Sequence, residues 1–262
     1  MTDKTNHIFL LPERWHVLSG SWLKIIAMAS MFVDHLASQL LRYDSAFTEP
    51  LITLGHRYIT WYFLLRCVGR LAFPIFSFLL VEGFQHTHDR WKYGRNLLVF
   101  ALISEIPYNL THGGHIYGWS QNVFFTLFFG FLALCAVSRW EEDRQSILPQ
   151  SKIYAKHNCR LALRLLALIA VSILLHFDYG TSGISFILLL YVLRHNEIFR
   201  AAIGCCFLGT RWIAGLAFIP IALYNGRRGF IQGAFSKYIF YLLYPIHLLA
   251  LYFIKIALGL GG

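Results

Sequence analysis

Between Trp22 and Leu41 the chain reads WLKIIAMASMFVDHLASQLL, a run long and apolar enough to span a bilayer that nevertheless carries Lys24, Asp34 and His35 inside it. No water is present in the hydrocarbon to satisfy backbone polar groups, so such a run must be an α-helix. A charged side chain at mid-depth costs about 2.5–3.5 kcal/mol on insertion scales, so it is expected to face a cavity or a partner. Lys24 and His35 are eleven positions apart. That is about three helical turns, which places both on one face roughly 16 Å apart along the axis. Asp34 could set the tautomer of His35, but adjacent helical side chains point about 100° apart, so Asp34 is expected to reach another span instead.

The rest of the chain agrees with a membrane solvent. Hydrophobic residues make up 57% and charged residues 14%, against about 25% charged in soluble proteins. We expect one integral-membrane domain over residues 1–262, with 1–20 as a cytoplasmic lead-in. Charges interrupt the short apolar run at the start before any small-residue cleavage signal, so a cleaved signal peptide is not expected. Further candidate spans are Tyr58 to Phe84, Asn96 to Thr111, Val123 to Trp140, Leu161 to Phe177, Ile184 to Leu193, Ala201 to Leu223 and Tyr238 to Leu258. The expected fold is an all-α, polytopic helical bundle with roughly seven to nine transmembrane segments, some short or broken. Gly69, Arg70 and Pro74 mark a break in the second span, allowed only where neighbours or a cavity satisfy the freed backbone. Ile184 to Leu193 is too short alone and is expected to be extended by a turn over Tyr179 to Gly183 into a re-entrant or hairpinned segment.

Basic loops stay cytoplasmic. With the N-terminus inside, the basic segments 86–95, 139–164 and 194–200 fall inside, while 111–121 and 178–183 contain no Lys or Arg and fall outside. The segment 42–57, with two Arg beside Asp44 and Glu49, is a mild exception. Two short passes around Arg211 would keep Asn225-Gly226-Arg227-Arg228-Gly229 inside as well. The net charge of +10 is spread over these loops, which favours topology signals and anionic lipid as the partner over nucleic acid. A phosphate-bearing cofactor arriving from the cytoplasm would meet Lys24, Arg90, Lys92 and Arg95 first. The five cysteines show no disulfide framework or metal spacing, and neither a phosphate-binding Walker loop nor a dinucleotide glycine fingerprint occurs.

The informative set is therefore the ionisable residues within apolar stretches: Lys24, Asp34, His35, Arg66, Arg70, Glu82, Glu105 and His247. Arg66 and Arg70 share a helix face if their helix continues, and Glu82 lies about three turns on. Pairing of such charges to lock spans together is one reading, and presentation to a polar cavity is the other. Imidazole is the usual general base near neutral pH, which singles out His35. His247, close to Pro245 in the last span, is expected to line the same cavity.

These residues also carry a resemblance. Lys24, ten residues and His35 look like the basic-x10-His signature in the first helix of the acyltransferase-3 superfamily of membrane acyltransferases. More closely, the chain resembles the TraX family through residues 23–36 (LKIIAMASMFVDHL), 69–87 (GRLAFPIFSFLLVEGFQHT), 100–110 (FALISEIPYNL), 122–130 (NVFFTLFFG), 179–184 (YGTSGI) and 241–251 (YLLYPIHLLAL). The pieces occur in the family's order, and the most specific runs from Gly69 to Gly83.

The resemblance implies a multi-pass protein of the bacterial cytoplasmic membrane that transfers acetyl from cytoplasmic acetyl-CoA to an acceptor amine or hydroxyl, such as a pilin N-terminus or a cell-surface glycan, with no metal. The superfamily histidine falls on His35 and its basic partner on Lys24, where many relatives have Arg. In this reading His35 takes the acceptor's proton or carries the acetyl group, assisted by Asp34, while Arg70 or nearby amides stabilise the oxyanion. Lys24, Arg90, Lys92 and Arg95 hold the cofactor's phosphates. Glu82, Glu105, Asn122, Tyr179 and His247 are the candidates for the acceptor side. Two other classes stay open: a proton-coupled transporter using the same buried carboxylates and histidines as a relay, and a non-catalytic membrane scaffold.

Overall fold

The computed structural model describes residues 10–55, 57–144 and 152–260. Residues 1–9 of the expected cytoplasmic lead-in and residues 145–151 of the basic 139–164 segment lie outside them. Helix α1 spans Gly20–Gln39 and buries a stripe of small residues, Ser21, Ala27, Ser30 and Ala37, which lets neighbouring backbones approach closely. A short helix α2 (Ser45–Thr48) begins where Asp44 Oδ1 accepts from Ala46 N at 2.9 Å. It is followed by a hairpin of β1 (Ile52–Leu54) and β2 (Arg57–Ile59), paired antiparallel with Ile52 opposite Ile59.

The second span is broken as the sequence suggests. Helix α3 (Trp61–Gly69) is capped by Thr60 Oγ1, which accepts from Phe63 N at 3.0 Å, and α4 covers Ala72–His86. The interruption falls at Arg70 and Leu71, ahead of Pro74, which sits in the first turn of α4 where a missing N–H costs no intrahelical bond. Helix α5 (Arg90–Gly113) starts at Asp89, whose Oδ1 accepts from Lys92 N, and stops at Gly114, whose φ of 70° is the left-handed stop that glycine adopts freely. Then come α6 (Val123–Arg144), α7 (Lys152–Leu174), α8 (Gly180–Val192), α9 (Glu197–Leu208), a 3-10 segment (Gly209–Ala217), α10 (Phe218–Ala222) and α11 (Ala234–Ala257). The stretch expected as a turn over 179–183 is instead the start of α8.

Among the described residues four helical stretches are long and apolar enough to cross a membrane: Trp61–His86, Val123–Arg144, Ile153–Leu174 and Tyr238–Ala257. This makes the chain an α-helical membrane protein, with fewer such helices than the expected seven to nine. The other segments fall short for physical reasons, and α1, expected as the first span, is among them: it has 20 residues, but Lys24, Asp34 and His35 make it too polar. Helix α8 has 13 residues, about 20 Å of rise against a hydrocarbon core of about 30 Å. Helix α5 turns Asn96, Ser104, Asn109 and Thr111 into the protein, so the bundle rather than lipid solvates them. Helix α7 does the reverse: only 6% of its apolar window is buried inside the protein, which leaves a hydrophobic face that suits acyl chains.

Gly20 N bonds Arg227 O, Lys24, His86 and Arg228 line one cavity, and Arg90 and Arg194 meet Glu142 and Glu141, so the element ends near Lys24, Arg90, Arg144, Arg194 and Arg228 gather at one end of the bundle. We call this the Arg-rich end. Helix α9 leaves that end, the 3-10 segment reverses it, and α10 returns. Phe218 packs where a Cβ on Gly204 would otherwise sit, and the Cys205 thiol lies 3.7 Å from Gly215 O. The loop after α10 is stitched to the start of α1 by Leu18 N to Leu223 O (2.8 Å) and Asn225 N to Leu18 O (2.9 Å). From Glu197 to Ala222 the chain thus folds back on itself, which keeps Arg227 and Arg228 at the Arg-rich end. Helix α11 then packs against α5 and α1, beside a core in which Phe84 meets Phe131 and Tyr191 edge-on at 5.6 and 5.8 Å.

Candidate functional site

Helices α1 and α11 run in the same direction and bring His35 beside His247. Nδ1 of His35 lies 2.6 Å from Nε2 of His247, and Nδ1 of His247 lies 2.7 Å from the Leu243 carbonyl one turn earlier. The ring planes differ by 7° and the centroids are 4.9 Å apart. Since the bonded nitrogens are so much closer than the centroids, the rings meet edge to edge in nearly one plane, the alignment an N–H···N bond needs. His247 is buried, and Tyr244 covers both rings at 6.0 Å from His35 and 5.7 Å from His247.

On the Arg-rich side of Tyr244 lies a cavity of about 510 Å³. Its mouth is polar, with Lys24, Glu82, His86 and Arg228, and its waist is apolar, with Met28, Met31, Leu79, Leu97, Phe240 and Tyr241. Its inner end is closed by Phe124, Leu127 and Tyr244. The loop that supplies Arg228 is held by Gly20 N to Arg227 O (2.8 Å), Ser21 Oγ to Arg228 O (3.0 Å) and Ile231 N to Ser21 Oγ (2.8 Å). Gly229 makes this seat possible: its φ is 87°, and a Cβ there would overlap the hydroxyls of Ser19 and Ser21. At the same mouth Tyr224 donates to Glu82, and burial, then the charge and the accepting carboxylate of Glu82, push the Tyr224 phenol up to about 12. His86 Nδ1 lies 2.9 Å from the Glu82 carbonyl oxygen and 4.0 Å from its carboxylate.

At the opposite end the polar groups are bonded to each other. Arg66 of α3 donates to the Asp34 carboxylate and at 3.5 Å to its backbone carbonyl. A Cβ on Gly69 would fall within the Asp34 side chain, so glycine is what lets α3 and α1 approach here. Glu105 is held by three donors: Asn122 Nδ2 at 2.6 Å, Asn122 N at 3.3 Å and Asn109 Nδ2 at 3.2 Å. Asn122 also caps α6 by accepting from Phe124 N at 3.0 Å, and donates to Ala101 O at 2.8 Å. Tyr179, at the start of α8, stacks on Phe73 with centroids 3.7 Å apart. Asp178 lies within electrostatic reach of Asp34, Tyr108 and Tyr244.

The sequence candidates therefore separate into groups. Lys24 lines the cavity, and His35 and His247 meet just beyond its inner end. The group bonded to the His35 ring is His247, while Asp34 reaches across to α3, as the angle between neighbouring helical residues implies. Arg70 is half-buried beside the Asp34 charge and, among the described residues, its side chain makes no hydrogen bond. Glu82 lies at the cavity mouth, near the other end of α4 from Arg70, so the two do not share a site. Glu105 and Asn122 are brought together but are engaged with each other. Arg90 turns to Glu142 at 3.5 Å and lies over the Phe84 ring at 4.5 Å, while Lys92 and Arg95 are exposed and do not line the cavity. Sequence reasoning missed Arg228, His86 and Tyr224 as cavity residues. The Arg227-Arg228-Gly229 run was a signal for the first of these, once the loop was placed beside Lys24.

Known proteins add a frame. The sequence model described as TraX protein matches residues 19–255. The chain is also similar to the probable fimbrial assembly protein FimC, serogroup H1, of Dichelobacter nodosus: 29% identical over 261 residues, covering 88% of this chain and 93% of the relative. No solved structure matches it.

Proposed function

This chain belongs to the TraX family, and from that premise we propose that it is an acyltransferase of the bacterial cytoplasmic membrane, N-terminus inside, that moves acetyl from cytoplasmic acetyl-CoA to an acceptor amine. The observation that carries the reading is the cavity that leads from a cationic mouth to the wall of a histidine pair. Its chemistry fits an acyl-CoA in order. Lys24 and Arg228 suit phosphates, with Arg preorganised for bidentate contact and Lys acting as a point charge. The apolar waist suits a pantetheine arm, and the inner end stops at Tyr244, the ring that packs against both imidazoles. Lys24 keeps the role the sequence suggested; Arg228 takes the place first given to Arg90, whose guanidinium is turned to Glu142.

In the step, the acceptor nitrogen attacks the thioester carbonyl carbon and its proton passes to the imidazole of His35. The tetrahedral adduct collapses by breaking the C–S bond, and the thiolate leaves, taking back that proton. Arg70, half-buried and with its side-chain donors unused among the described residues, is the candidate for the oxyanion. Tyr179 and Asp178, at the end opposite the cavity mouth, would meet the acceptor. The relative's name, a fimbrial assembly protein, favours a pilin-type peptide N-terminus over a glycan hydroxyl. A proton-relay transporter gains no support, because Asp34 and Glu105 are bound to Arg66 and Asn122.

The test is acetyl-CoA binding and slow hydrolysis by the detergent-solubilised protein, with His35→Ala and Lys24→Ala alongside. Binding weakened by Lys24→Ala, and turnover lost in His35→Ala with binding kept, is the expected result. A folded wild type that binds no acetyl-CoA would overturn the reading.

A further inference from the structure

The histidine pair carries more than a general base. We propose that His247 is a positioning residue that fixes the tautomer of His35, so that His35 carries its proton on Nδ1 and offers the bare Nε2 lone pair to the acceptor. The assignment follows from partners. The Leu243 carbonyl can only accept, so the 2.7 Å contact requires a proton on Nδ1 of His247. A neutral imidazole with a proton on Nδ1 has a bare Nε2, which can only accept. Across 2.6 Å, the donor must then be Nδ1–H of His35. A doubly protonated His247 is the other formal arrangement, and it would place a cation in a buried, aromatic-lined pocket whose nearest sequence carboxylate, Asp34, is already bound to Arg66. The neutral order is the one the surroundings favour.

This order assigns to a second imidazole the part a carboxylate plays when it orients a catalytic histidine. It differs in one respect: a neutral partner holds the ring without adding negative charge. It also restricts the chemistry on His35, since proton uptake must occur at Nε2 and Nδ1 is already committed.

The kinetic half of the proposal rests on the acyltransferase reading, so the test joins two measurements that can fail separately. In the full-length protein labelled with 15N-histidine, His35 is expected to show a protonated Nδ1 and an unprotonated Nε2, with His247 protonated at Nδ1. His247→Phe should abolish the preference at His35. A His35 signal protonated at Nε2 in the wild type, or a His35 signal unchanged in His247→Phe, overturns the inference whatever the protein does. In acetyl transfer, His247→Phe is expected to lower kcat about a hundredfold with KM for acetyl-CoA unchanged. His247→Gln, which keeps an accepting atom at the end of the side chain, is expected to recover most of that loss. A fully active His247→Phe beside an inactive His35→Ala overturns the positioning role while sparing the acyltransferase. A wild type with no transfer removes the acyltransferase reading, and the 15N measurement then decides the tautomer assignment alone.

Discussion

The two ends of this bundle contain similar polar residues and use them in opposite ways. At the Arg-rich end Lys24, Glu82, His86 and Arg228 stand around an open volume. At the other end Asp34 is bound to Arg66, and Glu105 to Asn122 and Asn109. Groups that border a cavity can also reach a ligand, whereas groups bonded across a helix contact mainly hold helices in register. The difference teaches that a charge in an apolar helix points to a functional site more strongly when it borders an open volume than when it only ties two helices together. The two regimes meet at the histidine pair, where His247 is bonded at both ring nitrogens and His35, among the described residues, at Nδ1.

The sharpest way to break this division is at the meeting point. His35→Ala should lower acetyl transfer about a hundredfold to ten-thousandfold, measured as turnover in detergent below the Tm of the variant, which the stranded His247 acceptor lowers. Next, Asn122→Ala should act on stability. It leaves Glu105 without its shortest bond and α6 without its cap. The cost is about 1–3 kcal/mol for the stranded acceptor and about 1 kcal/mol for the cap, read from chemical unfolding or a lowered Tm. Were Asn122→Ala as stable as wild type but unable to transfer acetyl, the paired end would be the reactive one and the comparison would fail. Lys24→Ala should do the opposite, weakening acetyl-CoA about tenfold by titration, the value of one charge-assisted hydrogen bond, without a comparable loss of Tm.

The smallest effect concerns pH. The Tyr224 phenol, pushed up to about 12 by burial and by Glu82, stays protonated when folded over a range in which an unfolded tyrosine ionises. A raised folded-state value means its contribution is fully present below about pH 10 and is lost as pH rises through about 12. The difference in Tm between wild type and Tyr224→Phe should therefore be constant to about pH 10 and shrink above it.

Much of this was legible in the chain because helix periodicity is local. The Lys24 and His35 spacing placed both on the cavity-facing side of α1, and the 100° step predicted that Asp34 would look elsewhere, which it does, towards Arg66. Gly69 and Pro74 announced the break between α3 and α4. What could not be read depends on partners far apart in sequence. Glu105 resembled a ligand-binding carboxylate until Asn122 was seen to occupy it, and the loop carrying Arg228 gained its place only through backbone bonds to the start of α1. The hairpin of β1 and β2 was equally hidden, since its strands have three residues each, too few to show an alternating pattern.

The fold-back from α9 to α10 has a consequence best stated as parity. A segment that enters and leaves by the same end adds an even number to the count of crossings, so it leaves the sense of everything downstream unchanged. Helix α11 must run parallel to α1 for His247 to meet His35. Lengthening, shortening or replacing that pass preserves this orientation, whereas adding or losing one complete crossing anywhere between the two helices would reverse α11. A change of length between Glu197 and Ala222 therefore leaves the direction of α11 as it is, whatever it costs the packing of Phe218 and Ile221.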